Sequence, residues 1–433
     1  MRPTRIRFVT AGVLTLMACL LYLDRFAVGI AAERMRVDLA MTQAQMSWFL
    51  SAFFWSYGLG QVPAGWLSDR FGPRIMLTIF IAGWSLFTGL LGTTSAVSLI
   101  LLWRFLCGAT QAGAYPVASG MLRAWFPIGQ RGVASSIVTM GGRVGAVLAP
   151  LLTASLMTLW DGRWSAVLLL YGAAGIVVAA AFAVICRNTP SEHPACNSAE
   201  RALIRKDAAP AVGNSPFPWR GVLTSLSLWG SSVTQFLMNV GWLFVVTWLP
   251  RYLERVHAVP LNEQATMTAI PIVAGVGGML CGGWWTDAAT RRFGLKWGRR
   301  FPLMSTRFVA AAGYVGCVLL GQLPPDGSSR TIPWAIIACL SLTSFSSDLG
   351  VPAIWAYAQD VGGQFTASIM GWSNMWGNFG AAVAPLLYNA VLGETPSLAN
   401  WNALFVVCAA TFALSGITSL VIDASKPIDF RSA

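Results

Sequence analysis

Apolar stretches of about 20 residues, broken by short polar segments, run along nearly the whole chain. A helix of that length crosses the ~30 Å hydrocarbon layer of a bilayer. The pattern predicts twelve spans, at 8–32, 46–68, 74–94, 97–122, 131–158, 164–186, 223–249, 264–286, 302–322, 331–358, 363–391 and 401–423. The short alternating segments of a membrane β-barrel are not found. The predicted fold class is an all-α membrane protein. Its longest polar stretch separates a six-helix bundle at 1–186 from a second at 223–433, and 187–222 reads as a linker with a short surface helix near 198–207.

The polar breaks recur between the halves. Gly65-Trp-Leu-Ser-Asp69 returns as Gly283-Trp-Trp-Thr-Asp287, again where an apolar stretch gives way to charge. Met140-Gly-Gly-Arg143-Val-Gly-Ala-Val-Leu-Ala-Pro150 is echoed by Met375-Trp-Gly-Asn378-Phe-Gly-Ala-Ala-Val-Ala-Pro385. Paired repeats in a membrane protein point to alternating access, with a binding site between the halves.

Composition supports the membrane reading. The 433 residues are 55% hydrophobic and 11% charged, against about 25% charged in soluble domains. The net charge of +12 is spread over short loops rather than gathered in one patch, so it reports orientation and not a nucleic-acid partner. An even number of spans puts both termini on one side. That side receives Arg2, Arg5, Arg7, Arg70, Arg74, Arg123, Arg131, Arg187, Arg201, Arg205, Lys206, Arg220, Arg291, Arg292, Lys296, Arg299, Arg300, Arg307, Lys426 and Arg431. The other side keeps only Arg34, Arg36, Arg163, Arg251, Arg255 and Arg330, so both termini are expected in the cytoplasm of a bacterial inner membrane. The basic N-terminus resembles a signal peptide, but Asp24-Arg25 and the later spans favour an uncleaved first helix.

The 8 cysteines show no Cys-x-x-Cys spacing, and with 2 histidines a metal site is not expected. No phosphate loop of the Gly-Lys-Ser/Thr kind is present, and neither are His-Glu-x-x-His or Gly-x-Ser-x-Gly motifs. ATP drive and enzymatic chemistry are therefore not expected. No cofactor is implied beyond a coupling proton or other cation, and the chain is expected to be a monomer in the bilayer.

The run Gly65-x-x-x-Asp69-Arg70-x-Gly72-x-Arg74 after the second span resembles the signature of the major facilitator superfamily. Within it the chain looks like the anion:cation symporter family, which includes sugar-acid permeases, sialin and vesicular glutamate carriers. Tyr22-Leu-Asp24-Arg25, Phe53-Phe-Trp-Ser-Tyr57, Gln61-Val-Pro63, Arg104-Phe-Leu-Cys-Gly108 and Trp125-Phe-Pro127 carry the resemblance in the first half. His193-Pro194, Glu200, Ile204, Thr247-Trp-Leu-Pro-Arg-Tyr-Leu253, Trp355-Ala-Tyr-Ala-Gln-Asp360 and Asn374-x-x-Gly377-Asn378 carry it beyond. The resemblance implies two six-helix bundles, transport of an organic anion, and substrate contacts at Arg25, Tyr57 and Asn374. The chain departs from the pattern at Gln111, where many proton-coupled members have glutamate.

Charge at mid-bilayer costs roughly 2.5–3.5 kcal/mol on insertion scales and marks function by default. Arg25 presents a fork that matches a carboxylate. Asp24, about 100° away on the same helix, either pairs with Arg104 or carries a proton. Arg143, among Gly141, Gly142 and Gly145, suggests a second anionic or hydroxylated group on the substrate, or a pair with Asp348. Asp348-x-Gly350-x-Pro352 parallels Gln111-x-Gly113…Pro116, so the titratable role missing at Gln111 is assigned to Asp348. Asn374 and Asn378, one turn apart, with Tyr57, Gln235 and Asn239, offer hydrogen bonds suited to sugar hydroxyls. Gly65, Asp69, Arg70, Gly72, Arg74 and Asp287 read as gate contacts that form in one state and break in another. The expectation is proton-coupled symport of a sugar acid or other carboxylate. A uniporter, an exchanger, an exporter and a non-transporting sensor are the alternatives.

Overall fold

The computed structural model describes residues 2–205, 217–323, 331–393 and 395–428. Lys206, Arg330 and Arg431, which enter the orientation, and residues 206–216 of the linker lie outside the described residues. The fold is helical throughout, with no strand among the described residues. The first half runs α1 (Ile6–Asp38), α2 (Gln43–Phe71), α3 (Pro73–Leu91), α4 (Val97–Gln111), α5 (Ala114–Trp125), α6 (Arg131–Leu159) and α7 (Trp164–Ile185). The linker carries α8 (Ser198–Arg205), close to its predicted place, and α9 (Trp219–Thr224), which the pattern does not show. The second half runs α10 (Leu226–Leu243), α11 (Leu249–His257), α12 (Leu261–Gly321), α13 (Thr331–Leu349), α14 (Val351–Val361), α15 (Thr366–Leu392) and α16 (Leu398–Thr418).

Three predicted spans are interrupted. The fourth breaks between α4 and α5 beside Gly113, and the tenth between α13 and α14 at Gly350. These are the two positions where the sequence parallel places Gln111 and Asp348. The seventh contains a π-helical turn, Phe244–Trp248, between α10 and α11. Wider hydrogen-bond spacing frees carbonyls there, and single π turns often sit at functional sites. Tyr314 donates to the Gly241 carbonyl at 2.6 Å and Tyr388 donates to that of Val240. Conversely, α12 joins the eighth and ninth spans through a loop-free kink at Gly294, where φ is 73°. A side chain is strained at that φ, which is why glycine stands there.

Nine helical stretches among the described residues are long and apolar enough to cross a membrane, and one of these holds both legs of α12. Adding α2 and α15 accounts for the predicted twelve. Those two fall below the apolar limit because they carry Gln61, Ser68 and Asp69, and Asn374 and Asn378. Only 39–50% of each apolar window is buried, and Val177, Val184, Leu226 and Leu386 are about 70% exposed. Such outward apolar surface suits lipid and not water.

The chain forms two compact units. Unit 1 holds residues 1–217 and 358–372; unit 2 holds 218–357 and 373–433. In unit 1, α1 packs on α6, α3 on α7 and α2 on α4. A Cβ at Gly141 or Gly145 would collide with the carbonyls of Thr15 or Cys19, so the glycines set the α1–α6 approach. Met35, Phe49, Leu91, Ile100, Trp164 and Leu168 form an apolar core in that unit. In unit 2, α12 packs on α13 and α16. Its core is aromatic: Phe244, Tyr252, Tyr314 and Phe405 meet at ring distances of 5.0–6.4 Å.

Glu200 ties the linker to unit 1. Its buried carboxylate accepts from Thr4 Oγ1 (2.6 Å), Ile6 N (3.0 Å), Arg7 N (3.2 Å) and Arg7 Nη1 (3.0 Å). It thus caps the first turn of α1, whose own N-cap, Arg5, offers no side-chain bond. Burial pushes the Glu200 carboxyl upward, but these donors and the Arg7 charge outweigh it and hold the group below its usual range.

Candidate functional site

In unit 1, α1 directs Arg25 into an aromatic cage. Its guanidinium carbon lies 4.4 Å from the Tyr57 ring centre, 5.1 Å from Phe53 and 5.2 Å from Tyr22. Cation–π attraction offsets part of the cost of holding charge there. Nη2 donates to Gln111 Oε1 at 3.2 Å, while Nε is buried without a partner among the described residues. No carboxylate pairs with Arg25 among the described residues of unit 1. A neutral amide fills the position at which the resemblance places a glutamate, so the Arg25 charge stays uncompensated.

Phe53 also sits under Arg104, 4.3 Å from its guanidinium carbon, with Phe49 at 5.5 Å. One ring thus spaces the two arginines. Asp24 is 1% exposed, and neither oxygen has a hydrogen-bond partner among the described residues. Arg104 acts on it electrostatically, without a direct ion pair. Arg143 is half-buried on α6, and Gly142 faces Tyr115 and Tyr22 across the same interior.

In unit 2, Gln235 and Asn239 on α10 face α15 at Gly377, where a Cβ would lie 3.0 Å from Asn239 Nδ2 and 3.6 Å from Gln235 Cβ. Asn239 and Asn378 each donate to the backbone one turn back, at 2.9 Å and 2.8 Å. Those bonds orient the amides and leave their oxygens as acceptors. Buried Gln235 Nε2 has no partner among the described residues. Asn374 is half-buried on the same stretch of α15.

Asp348 is 2% exposed near the end of α13, beside Gly275, with Arg307 as its electrostatic neighbour. Arg307 corrects the sequence reading. It was assigned to the cytoplasmic loops, yet it is fully buried in α12 and donates to the Ser347 carbonyl at 2.9 Å. Its position five residues inside the predicted span 302–322 was the available signal. Arg299, also placed in a loop, is fully buried and lies 3.8 Å from Asp287.

The gate residues divide. Asp69 accepts from Ala367 N (3.1 Å), Ser368 N (2.8 Å) and Ser368 Oγ (2.5 Å), capping the first turn of α15. Gly65 permits this approach, since a Cβ there would lie 2.6 Å from the Ala367 carbonyl oxygen. Arg74 instead donates to the Ala183 carbonyl at 3.0 and 2.6 Å, neutralising the C-terminus of α7. Gly72, at φ 90°, turns the chain from α2 into α3. Arg70 is exposed over Trp66 and Phe71. The sequence reading missed a second contact on residues 358–372. Arg131 Nη1 meets Asp360 at 2.5 Å and the Gln359 carbonyl at 3.3 Å, and Gln359 Nε2 donates to Ser135 Oγ at 3.2 Å. Both acceptor residues lie just past a predicted span end, where polar residues look like ordinary loop.

Residues 14–385 match the family model described as Major Facilitator Superfamily. The "Probable sulfoacetate transporter SauU" of Cupriavidus necator is 25% identical over 425 residues, covering 98% of this chain and 95% of that protein. The "Probable galactarate/D-glucarate transporter GudP" of Escherichia coli is 29% identical over 449 residues, covering 98% and 95%. The "Probable L-galactonate transporter" of the same organism is 26% identical over 435 residues, covering 99% and 92%. Among solved structures, the transporter FucP in the outward conformation superposes with a TM-score of 0.70 at 16% identity, covering 96% of this chain and 99% of that one. The proton:xylose symporter XylE gives 0.71 at 14% identity, covering 95% and 94%. At these identities the structural likeness speaks for the fold alone.

Proposed function

The chain belongs to the Major Facilitator Superfamily, a family of transporters and not enzymes, and from that premise we propose that it carries a small organic anion of the sugar-acid or sulfonate class. The observation that carries this reading is Arg25: a guanidinium inside a membrane helix, caged by aromatics, bonded to a neutral amide, and paired with no acid among the described residues of unit 1. A carboxylate or sulfonate arriving there supplies the missing countercharge and engages the free donors in a charge-assisted pair. The relatives named for sulfoacetate, galactarate and galactonate support that ligand chemistry. The amides on α10 and α15 offer acceptors and donors for hydroxyl groups, which suits a polyhydroxylated acid.

The proposed drive is a proton. Gln111 does not titrate, so the candidates are Asp24 and Asp348, each buried with an arginine as its electrostatic neighbour, Arg104 and Arg307 respectively. The Asp69 and Arg131 contacts on residues 358–372 are proposed as latches that form in one access state and break in the other, which couples only if substrate or proton favours one state. Both termini are proposed to face the cytoplasm, on the loop charges.

The test is uptake of labelled galactarate or sulfoacetate into proteoliposomes under an inward proton gradient. In Asp348→Asn, gradient-driven accumulation is expected to vanish while exchange of internal for external substrate survives. Unchanged gradient dependence in that variant removes Asp348 from the coupling.

A further inference from the structure

At one end of unit 2, away from Arg307 and the amides, the start of α10 and the chain beyond α16 line an open cavity of about 380 Å³. Two cations line it, Arg300 and Lys426. Arg300 is held in place: its Nε donates to the Ile422 carbonyl at 3.0 Å, and its guanidinium carbon lies 5.0 Å from the Trp297 ring centre. No described protein group bonds its two terminal nitrogens. The exposed Lys426 ammonium likewise bonds no described protein group.

One acid shares the cavity, Asp423. Its carboxylate is already engaged by Ser425 N (3.1 Å), Ser425 Oγ (2.6 Å) and Lys296 Nζ (3.4 Å). With Lys296 neutralising Asp423, the Arg300 and Lys426 charges have no countercharge among the described residues. Ser225 and Ser227 also line the cavity, but their hydroxyls are engaged: Ser225 Oγ caps α10 by accepting from Leu228 N at 3.2 Å, and Ser227 Oγ accepts from Asp423 N at 2.8 Å and lies 2.8 Å from the Tyr357 hydroxyl. A cationic cavity of this size has the chemistry of a phosphate-type ligand.

The rim indicates where such a ligand comes from. Leu226 and Val421 line the cavity and are 71% and 39% exposed; Trp219 and Leu223 on α9, and Trp297 under Arg300, are 53%, 54% and 46% exposed. Exposed tryptophan next to exposed leucine marks the headgroup level of a bilayer. An apolar rim of this kind accommodates acyl chains, whereas a site for free phosphate would open onto a polar surface.

We propose that this cavity binds the phosphate-bearing headgroup of an anionic phospholipid, with its acyl chains laid along the Leu226–Val421 rim. The bound lipid would stabilise unit 2 where the chain enters α10 and leaves α16. The proposal does not depend on which anion the protein transports.

The test is thermal unfolding of the purified full-length protein in neutral detergent, with added phosphatidylglycerol, phosphatidylcholine or inorganic phosphate. Phosphatidylglycerol is expected to raise the midpoint, since a ligand of the native state alone stabilises it; the other two are expected to leave it in place. Lys426→Gln and Arg300→Gln should lose most of the rise, and Arg292→Gln, at an exposed basic residue outside the cavity, should keep it. Arg300 also holds the Ile422 carbonyl, so Lys426→Gln keeps the test decisive if Arg300→Gln misfolds. An equal rise in Lys426→Gln and the wild type overturns the site. An equal rise with phosphatidylcholine overturns the anionic preference, and one with inorganic phosphate overturns the lipid as its source.

Discussion

A guanidinium inside an apolar helix must draw its compensation from its surroundings. Arg25 takes it from three rings and the Gln111 amide, and none of these cancels its charge. On the proposed function, Gln111 leaves the arginine available to an incoming anion. Gln111→Glu would set a carboxylate at hydrogen-bond distance from Nη2 and compete with the substrate. Its KM is expected to rise about 10-fold or more at neutral pH, the equivalent of ~1.4 kcal/mol, and to recover as the pH falls and the new acid protonates. A KM that stays at the wild-type value across that pH range contradicts the competition. Arg25, Asp24 and Asp348 were legible in the sequence because a charge stands out in an apolar run. Arg104 was also readable as a neighbour of Asp24, but Arg307 beside Asp348 was not, because no spacing rule links residues on different helices. Arg307 was misread because it lies near a span end, where charge usually belongs to a loop.

Two helices begin with an acid supplied from elsewhere in the chain. Asp69 gives three acceptor contacts to the first turn of α15, and Glu200 gives a similar set to α1. A carboxylate at a helix N-terminus meets both the unpaired N–H groups and the positive end of the dipole. Asp69→Asn keeps the shape and loses the charge, at a cost of about 1 kcal/mol. Amide exchange at Ala367 and Ser368 is expected to quicken roughly 5-fold, following opening free energy. Unaltered exchange at both would show that the contact does not hold that turn. The breaks at Gly113 and Gly350 could be anticipated from the Gly and Pro near them. The π turn at Phe244–Trp248 could not, since its stabilising tyrosines Tyr314 and Tyr388 come from distant helices.

The twelve spans were readable because lipid imposes one length on every helix. The division into units was not fully readable. Residues 358–372 belong to the second half of the sequence repeat, yet they pack with unit 1 through Asp69, Arg131 and Gln359. The linker helix docks on α1 through Glu200, a contact visible only once the chain is folded. With its pKa depressed in the fold, Glu200 contributes fully above the unfolded value of about 4.3, and the contribution is lost as pH falls through the lower folded value. The wild type is therefore expected to lose thermal stability below about pH 4 more steeply than Glu200→Gln, whose amide does not titrate. Parallel acid profiles for the two proteins would contradict this role.

At this scale the account rests on Arg25 receiving an organic anion that the protein then carries across a bilayer. Counterflow by purified protein in liposomes reads that directly. Liposomes loaded with unlabelled galactarate or sulfoacetate are expected to accumulate the labelled acid, and Arg25→Lys, which keeps the charge but loses the fork, is expected to cut the rate about 100-fold. Accumulation of an uncharged sugar as fast as of the acids, or full activity in Arg25→Lys, would contradict the account.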